Sequence, residues 1–158
     1  MCQQPQRRPR RVPAAPPFVV VGIGDDAAVL EPPRNRLDIV TTDAAVEGVH
    51  FDRRFMDAAS IGHRVLAANL SDLAAMGAEP RTALLSLMLP DALPVADLDA
   101  LLDAFMALAA RTGTHLVGGN VTRSPGPLVI DVTVSGTAKR RKVLTRAGGR
   151  PGDELWVS

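Results

Sequence analysis

Asp57-Ala-Ala-Ser-Ile-Gly-His-Arg-Val-Leu-Ala-Ala-Asn-Leu-Ser-Asp-Leu-Ala-Ala-Met-Gly77 is the stretch on which the fold turns. Ile61, Val65, Leu66, Leu70, Leu73 and Met76 recur at the spacing of one helical face, and Gly77 stands where a helix stops. The pattern predicts a first long helix over 57–77. Val95 to Arg111 repeats it with Leu98, Leu101, Leu102, Phe105 and Leu108, which predicts a second. Around these helices lie β-like runs. Arg81 to Leu89 sits between Pro80 and Pro90, and Leu128 to Ala138 alternates Val129, Asp131, Thr133 and Ser135 with Ile130, Val132 and Val134. Phe18 to Ile23, Ala27 to Leu30, Leu37 to Thr42 and Thr114 to Val117 read as further strands, and Leu155 to Val157 as the start of another. Two long helices among these strands make an α+β pattern, without internal repeats.

With 158 residues the chain has room for one hydrophobic core. Its 46% hydrophobic and 22% charged residues are those of a folded globular protein. No apolar run approaches the roughly 20 residues that cross a bilayer, and no apolar segment follows the N-terminal arginines, so the expected location is cytoplasmic. Cys2 is the single cysteine, which leaves no disulfide framework and no thiolate metal site. Any metal here must be held by oxygen. Aromatic residues make up 3% and tyrosine is absent, which disfavours stacking on nucleic acid. The net charge of +1 conceals an asymmetry: residues 1–17 carry Arg7, Arg8, Arg10 and Arg11 and no acid, leaving 14 basic against 17 acidic residues elsewhere. Five of the 13 prolines also fall in this segment, so it is expected to be a disordered basic arm, with the folded domain over 18–158.

Several motifs carry possible chemistry. Gly22-Ile-Gly-Asp-Asp-Ala27 formally fits a dinucleotide fingerprint, but Pro32-Pro33 arrives too soon for the helix that motif needs, and two carboxylates would repel the phosphates. The glycines instead allow a sharp turn that leaves Asp25 and Asp26 at a strand end, as an ordinary acidic turn or a cation ligand. Asp43 follows Thr41 and Thr42 where strand alternation ends. Asp72 lies on the first helix one turn after Asn69, as part of a solvated face or as a second cation ligand. Separated aspartates of this kind suit Mg²⁺ bridging protein carboxylates to substrate phosphates. His63 and His115 are isolated and read as structural or surface residues. Gly118-Gly-Asn-Val-Thr-Arg-Ser-Pro-Gly126 reads as a loop, either a plain hairpin or a phosphate cradle with donors from Thr122, Arg123 and Ser124. Lys139 to Lys142 reads as a solvated cationic run, and Arg146 as a phosphate-binding candidate.

Four of these motifs in order, Gly22 to Val29, Thr41-Thr-Asp-Ala-Ala-Val-Glu-Gly-Val-His-Phe51, Asn69-Leu-Ser-Asp-Leu-Ala-Ala-Met-Gly-Ala78 and Gly118 to Ser124, resemble the thiamine-monophosphate kinases. Val143-Leu-Thr-Arg146 and Arg150-Pro-Gly-Asp153 extend the resemblance to nearly everything outside the basic arm. It implies ATP-dependent phosphorylation of thiamine monophosphate to the diphosphate by direct in-line transfer, with several Mg²⁺ ions and no protein nucleophile or base. Carried onto this chain, the resemblance makes Asp26, Asp43 and Asp72 magnesium ligands with Thr41 and Thr42 beside them. His50 touches the substrate, and Gly119, Asn120 and Arg146 lie at the nucleotide. The family usually has aspartate where Asn120 stands, so one metal ligand becomes a neutral amide. The implied fold is a mixed sheet with two long helices packed on one face, like the N-terminal domain of aminoimidazole ribonucleotide synthetase, forming a homodimer through the sheet.

Family members continue through a further domain, which leads to the expectation that this chain holds the ATP and Mg²⁺ side without a C-terminal domain and turns over poorly alone. The competing readings are another ATP-using enzyme of the superfamily (aminoimidazole ribonucleotide synthetase, selenophosphate synthetase or hydrogenase maturation type) and a non-catalytic ATP-binding dimerisation remnant.

Overall fold

The computed structural model describes residues 15–154. Most of the expected basic arm, residues 1–14, and the expected strand at 155–157 lie outside the described residues. In chain order come β1 (Val19–Val21), β2 (Val29–Leu30), β3 (Leu37–Val46), α1 (Ala58–Ala75), β4 (Glu79–Pro90), α2 (Val95–Thr112), β5 (His115–Ser124), β6 (Val129–Ala138) and a short 3₁₀ turn over Arg140–Lys142. The two short strands form an antiparallel hairpin of their own. The four long ones make a sheet in the order β3-β6-β4-β5, antiparallel except for the parallel β4–β5 pair. This is the mixed sheet that the family resemblance implies, within the α+β class that the sequence pattern predicts.

Alternation along β6 fixes which face is which. Ile130, Val132 and Val134 are fully buried, whereas Asp131, Thr133 and Ser135 between them point to the other side. α1 packs on β3 and β6, and α2 packs on α1 and β5, so the helices cover the face carrying the valines. Ile61, Val65, Leu66 and Leu73 of α1 and Leu101, Phe105 and Leu108 of α2 join Ala83, Leu85 and Leu87 of β4 in one core. Burying a side chain of this size contributes about 1.5–3 kcal/mol, and the two stripes together hold the layers. The helices approach closely at Gly62, where a Cβ would stand 2.0 Å from the carbonyl oxygen of Leu101.

The helix ends follow from their residues. The Asp57 carboxylate accepts from the Ser60 backbone N–H at 2.7 Å and caps α1, and that bond holds its pKa below the usual carboxylate value. Gly77 takes the left-handed conformation after α1 (φ 69°), as Gly113 does after α2 (φ 66°).

Two boundaries differ from the sequence reading. β3 runs on through Asp43 to Val46, so Asp43 lies inside the strand rather than beyond its end. Gly118 to Ser124 is not a loop but the second half of β5, paired with Leu84 to Pro90 of β4. The Gly119 position demands glycine because the strands approach closely there: a Cβ would meet the Leu85 carbonyl oxygen at 1.9 Å.

Candidate functional site

β3 pairs with β6 over ten consecutive residues, from Leu37 opposite Ala138 to Val46 opposite Val129, without a register shift. Thr41 and Asp43 face the buried side, opposite Val134 and Val132, while Thr42 faces the uncovered side opposite Thr133. The three neighbours named as one group in the sequence therefore serve two faces. On the helix side, the Thr41 hydroxyl donates to Oδ2 of Asp72 at 3.0 Å, tying the exposed C-terminal part of α1 to β3. Asn69, one turn earlier, does not share that exposure. It is fully buried, its Nδ2 donates to the Val65 carbonyl at 3.0 Å, and its Oδ1 has no partner among the described residues. An orphaned buried acceptor of this kind costs about 1–3 kcal/mol.

Asp43 lines a pocket of about 240 Å³ with His50 and Arg64 over a floor of Phe51, Ile61 and Val65. His50 reaches it on a short loop after β3. Its Nδ1 accepts from the Val46 backbone N–H at 3.1 Å, which makes Nδ1 the acceptor nitrogen and leaves Nε2 as the donor. The loop is pinned at both ends: the Glu47 N–H donates to the Leu128 carbonyl, the Gly48 N–H donates to the Phe51 carbonyl, and Phe51 is buried in the core.

Across the sheet, a cleft of about 970 Å³ lies over the uncovered face. Asp25 and Asp26 line it from the β1–β2 turn, together with Gly119, Asn120, Asp131 and Thr133. The Asp26 backbone N–H donates to the Asp25 carboxylate at 2.8 Å, so Asp25 is engaged within the turn. The turn's hairpin is held to the sheet by Arg81, whose guanidinium stacks 4.1 Å from the Phe18 ring centroid and donates to the Glu31 carbonyl. Phe18 also meets the His115 ring edge-on, which gives His115 the structural role expected of it. On the sheet floor Thr42 Oγ1 contacts Oδ1 of Asp131 at 3.0 Å and Oγ of Thr133 at 2.9 Å. Asp131 was not singled out in the sequence, although an acid at an outward position of an alternating apolar strand is a readable signal.

The structure thus brings Asp43, His50, Thr41 and Asp72 to one side, and Asp26, Thr42, Gly119 and Asn120 to the other. Among the described residues, no three His, Cys, Asp or Glu side chains stand close enough to hold a metal ion. Arg146 lies in the exposed segment after the 3₁₀ turn, outside both cavities, where Leu144 donates to the Met76 carbonyl. Two of the phosphate donors proposed for the glycine segment are engaged locally. Arg123 pairs with Asp91, and the Ser124 hydroxyl donates to the Pro127 carbonyl while accepting from Gly126. No helix among the described residues is long and apolar enough to cross a membrane.

Residues 24–138 match the family model described as AIR synthase related protein, N-terminal domain. The thiamine-monophosphate kinase of Escherichia coli K12 is 40% identical over 140 residues, which cover 89% of this chain and 42% of that protein. A crystal structure of thiamine-monophosphate kinase from Stenotrophomonas maltophilia K279a superposes with a TM-score of 0.74 at 45% identity, covering 82% of this chain and 40% of that one. A structure described as AaThiL complexed with AMPPCP and TMP superposes with a TM-score of 0.68 at 33% identity, over 82% of this chain and 40% of its own. The chain therefore spans about two fifths of the length of the relatives it matches.

The loop that carries His50 depends on one carboxylate. Glu47 accepts from Arg53 Nε at 2.7 Å and from the Leu128 backbone N–H at 3.1 Å, and the Arg53 bond, above all, lowers its pKa from 4.5. A depressed folded-state pKa gives stability that is present above the ordinary carboxylate range and lost as pH falls through the lower folded value. Glu47→Gln should cost about 1 kcal/mol at pH 7, less than a buried charged bond because the pair is partly solvated. In urea denaturation the gap between variant and wild type should close as pH falls below 4.5. A gap that stays constant into strong acid would show that the Glu47 charge does not hold the loop.

Proposed function

This chain belongs to the AIR synthase related protein family, whose N-terminal domain spans residues 24–138, and from that premise we propose that it carries the ATP- and Mg²⁺-binding side of a cytoplasmic thiamine-monophosphate kinase. The reaction is transfer of the terminal phosphoryl group of ATP to the phosphate of thiamine monophosphate. The observation that carries this reading is the shared pocket of Asp43 and His50, with Asp72 tied to Thr41 two residues away on the same strand face. The identity to proteins named thiamine-monophosphate kinase, 40% and 45% over most of this chain, gives the acceptor its name.

Phosphoryl transfer between two phosphates asks a protein for alignment and charge neutralisation rather than for a nucleophile. The donor set agrees with that division of labour. Asp26, Thr41, Thr42, Asp43, Asp72 and Asn120 offer only oxygen to a cation, through carboxylates, hydroxyls and one amide carbonyl, which is the ligand chemistry of Mg²⁺. Bound there, Mg²⁺ supplies neutralisation of the charge that develops on the transferring phosphoryl group. Because these oxygens are spread over two faces, with no three acidic side chains together among the described residues, each would supply only part of an ion's ligands, and the nucleotide's own phosphates would have to supply the rest. Gly119 and Asn120 sit with Asp26 in the larger cleft, the side assigned to the nucleotide, and Arg146 is assigned to its phosphates. His50, with Nε2 as its donor, faces the acceptor.

A homodimer through the uncovered sheet face belongs to the same reading. Val40 and Leu84 stand 63% and 43% exposed there, beside the Thr42–Thr133 pair, a costly arrangement for a solvated surface. Sedimentation equilibrium should give twice the chain mass, and Val40→Asp with Leu84→Asp should give the monomer; a monomeric wild type at micromolar concentration contradicts this contact.

The functional test is nucleotide-dependent stabilisation. Mg-ATP should raise the unfolding midpoint of the wild type, and Asp72→Asn should abolish that rise while leaving the unliganded midpoint nearly unchanged. Full stabilisation of Asp72→Asn by Mg-ATP would remove Asp72 from the site.

A further inference from the structure

The 240 Å³ pocket contains a cation that the assignment of Asp43 and His50 does not use. Arg64 lines it from the second turn of α1, opposite the β3 strand that carries Asp43. Four arginines elsewhere have acidic partners, Arg36 with Glu79, Arg53 with Glu47, Arg54 with Asp52 and Arg123 with Asp91, while Arg64 is an arginine without such a partner that lines a pocket. Arg64 has no ion pair or hydrogen bond among the described residues, although the Asp43 carboxylate lines the same pocket. An arginine held on a rigid helix over an apolar floor, with its donors uncommitted, is arranged for an anion from outside.

The second donor is His50. With Nδ1 accepting from the Val46 N–H, the ring is turned so that Nε2–H is the group left for a ligand. Phe51, Ile61 and Val65 below these two donors give the pocket a mainly apolar base. Its chemistry is therefore that of a phosphomonoester: two donors for a doubly charged phosphate and apolar surface for the organic group attached to it.

We propose that Arg64 is the specificity-determining residue that holds the phosphate of the acceptor, with His50 Nε2–H as its companion donor, so that the site selects a phosphorylated acceptor over the free alcohol. The proposal deepens the kinase reading and rests on it for the identity of the organic group, but not for the anion. Arg64 makes its contact in the ground state, and its effect falls on acceptor binding rather than on ATP. The Asp43 carboxylate alongside would repel a bare phosphate, and Arg64 offsets that repulsion before any cation is bound.

The test is a titration of the full 158-residue chain, without ATP or Mg²⁺, followed by the NMR signals of the His50 ring and the Arg64 Nε–H group. The probes are thiamine monophosphate, thiamine and inorganic phosphate. Thiamine monophosphate should shift both signals saturably, and Arg64→Gln should weaken its binding by about 10- to 100-fold, the loss expected for a charge-assisted hydrogen-bonded contact. Arg64→Lys should recover part of it, and thiamine should bind the wild type and Arg64→Gln alike. Unchanged affinity of Arg64→Gln for thiamine monophosphate overturns the inference and leaves the kinase reading standing. Inorganic phosphate that shifts both signals in an Arg64-dependent way, with thiamine monophosphate binding no better, keeps the anion site and removes thiamine as its acceptor. No response of either signal to either phosphate overturns the inference outright.

Discussion

The unbroken antiparallel register between β3 and β6 is the constraint on which the candidate site depends. Strand side chains alternate with a period of two, so a slip by one residue would send Thr41 and Asp43 to the uncovered face and Thr42 to the core. The slip is resisted because Ile39 and Ala45 of β3 pack against the core beneath the helices, and a slip would exchange them for residues of the opposite face. Sheet burial thereby fixes where a carboxylate and two hydroxyls point, although none of those three groups contributes to the core. The same strand then delivers His50 on a loop locked by Glu47, Arg53 and the start of β6.

The second organising feature is the attachment of α1. Its buried stripe holds it to the sheet, its Asp57 cap sets where it begins, and Gly62 lets α2 approach. Within that rigid frame Arg64 and Asp72 sit on exposed positions two turns apart, one lining the pocket of Asp43 and His50 and the other bonded to Thr41. The candidate site residues lie on the rim of elements whose interiors only pack.

Much of this was legible in the sequence, and the parts that were not have physical reasons. α1, α2 and β6 have strong apolar periodicity and were read with boundaries within a few residues. The continuation of β3 through Ala44 and Ala45 was missed because small residues carry no alternation signal. Gly118-Gly119 suggested a loop because glycine favours turns, yet here it permits β4 and β5 to approach at Leu85. Asp26, Asp43 and Asp72 were expected to converge, but sequence spacing cannot show that Asp26 reaches the uncovered cleft while the other two serve the helix side. Arg64 escaped notice for a simpler reason: a single cation in an amphipathic helix looks like a solvated position until its neighbours are known. Arg123 is the opposite case: the sequence offers it as a phosphate donor, and in the fold its guanidinium pairs with Asp91.

What remains is whether a polyphosphate and its cations draw the two sets of oxygens into one site. Crystals of the chain grown with Mn²⁺ and a non-hydrolysable ATP analogue, measured at the manganese absorption edge, test this most directly. The account predicts anomalous peaks bridging the analogue's phosphates to carboxylate oxygens of Asp43 and Asp72, with Asp26 coordinated to the same ion cluster. Manganese bound elsewhere, with all three carboxylates away from the nucleotide, would contradict it.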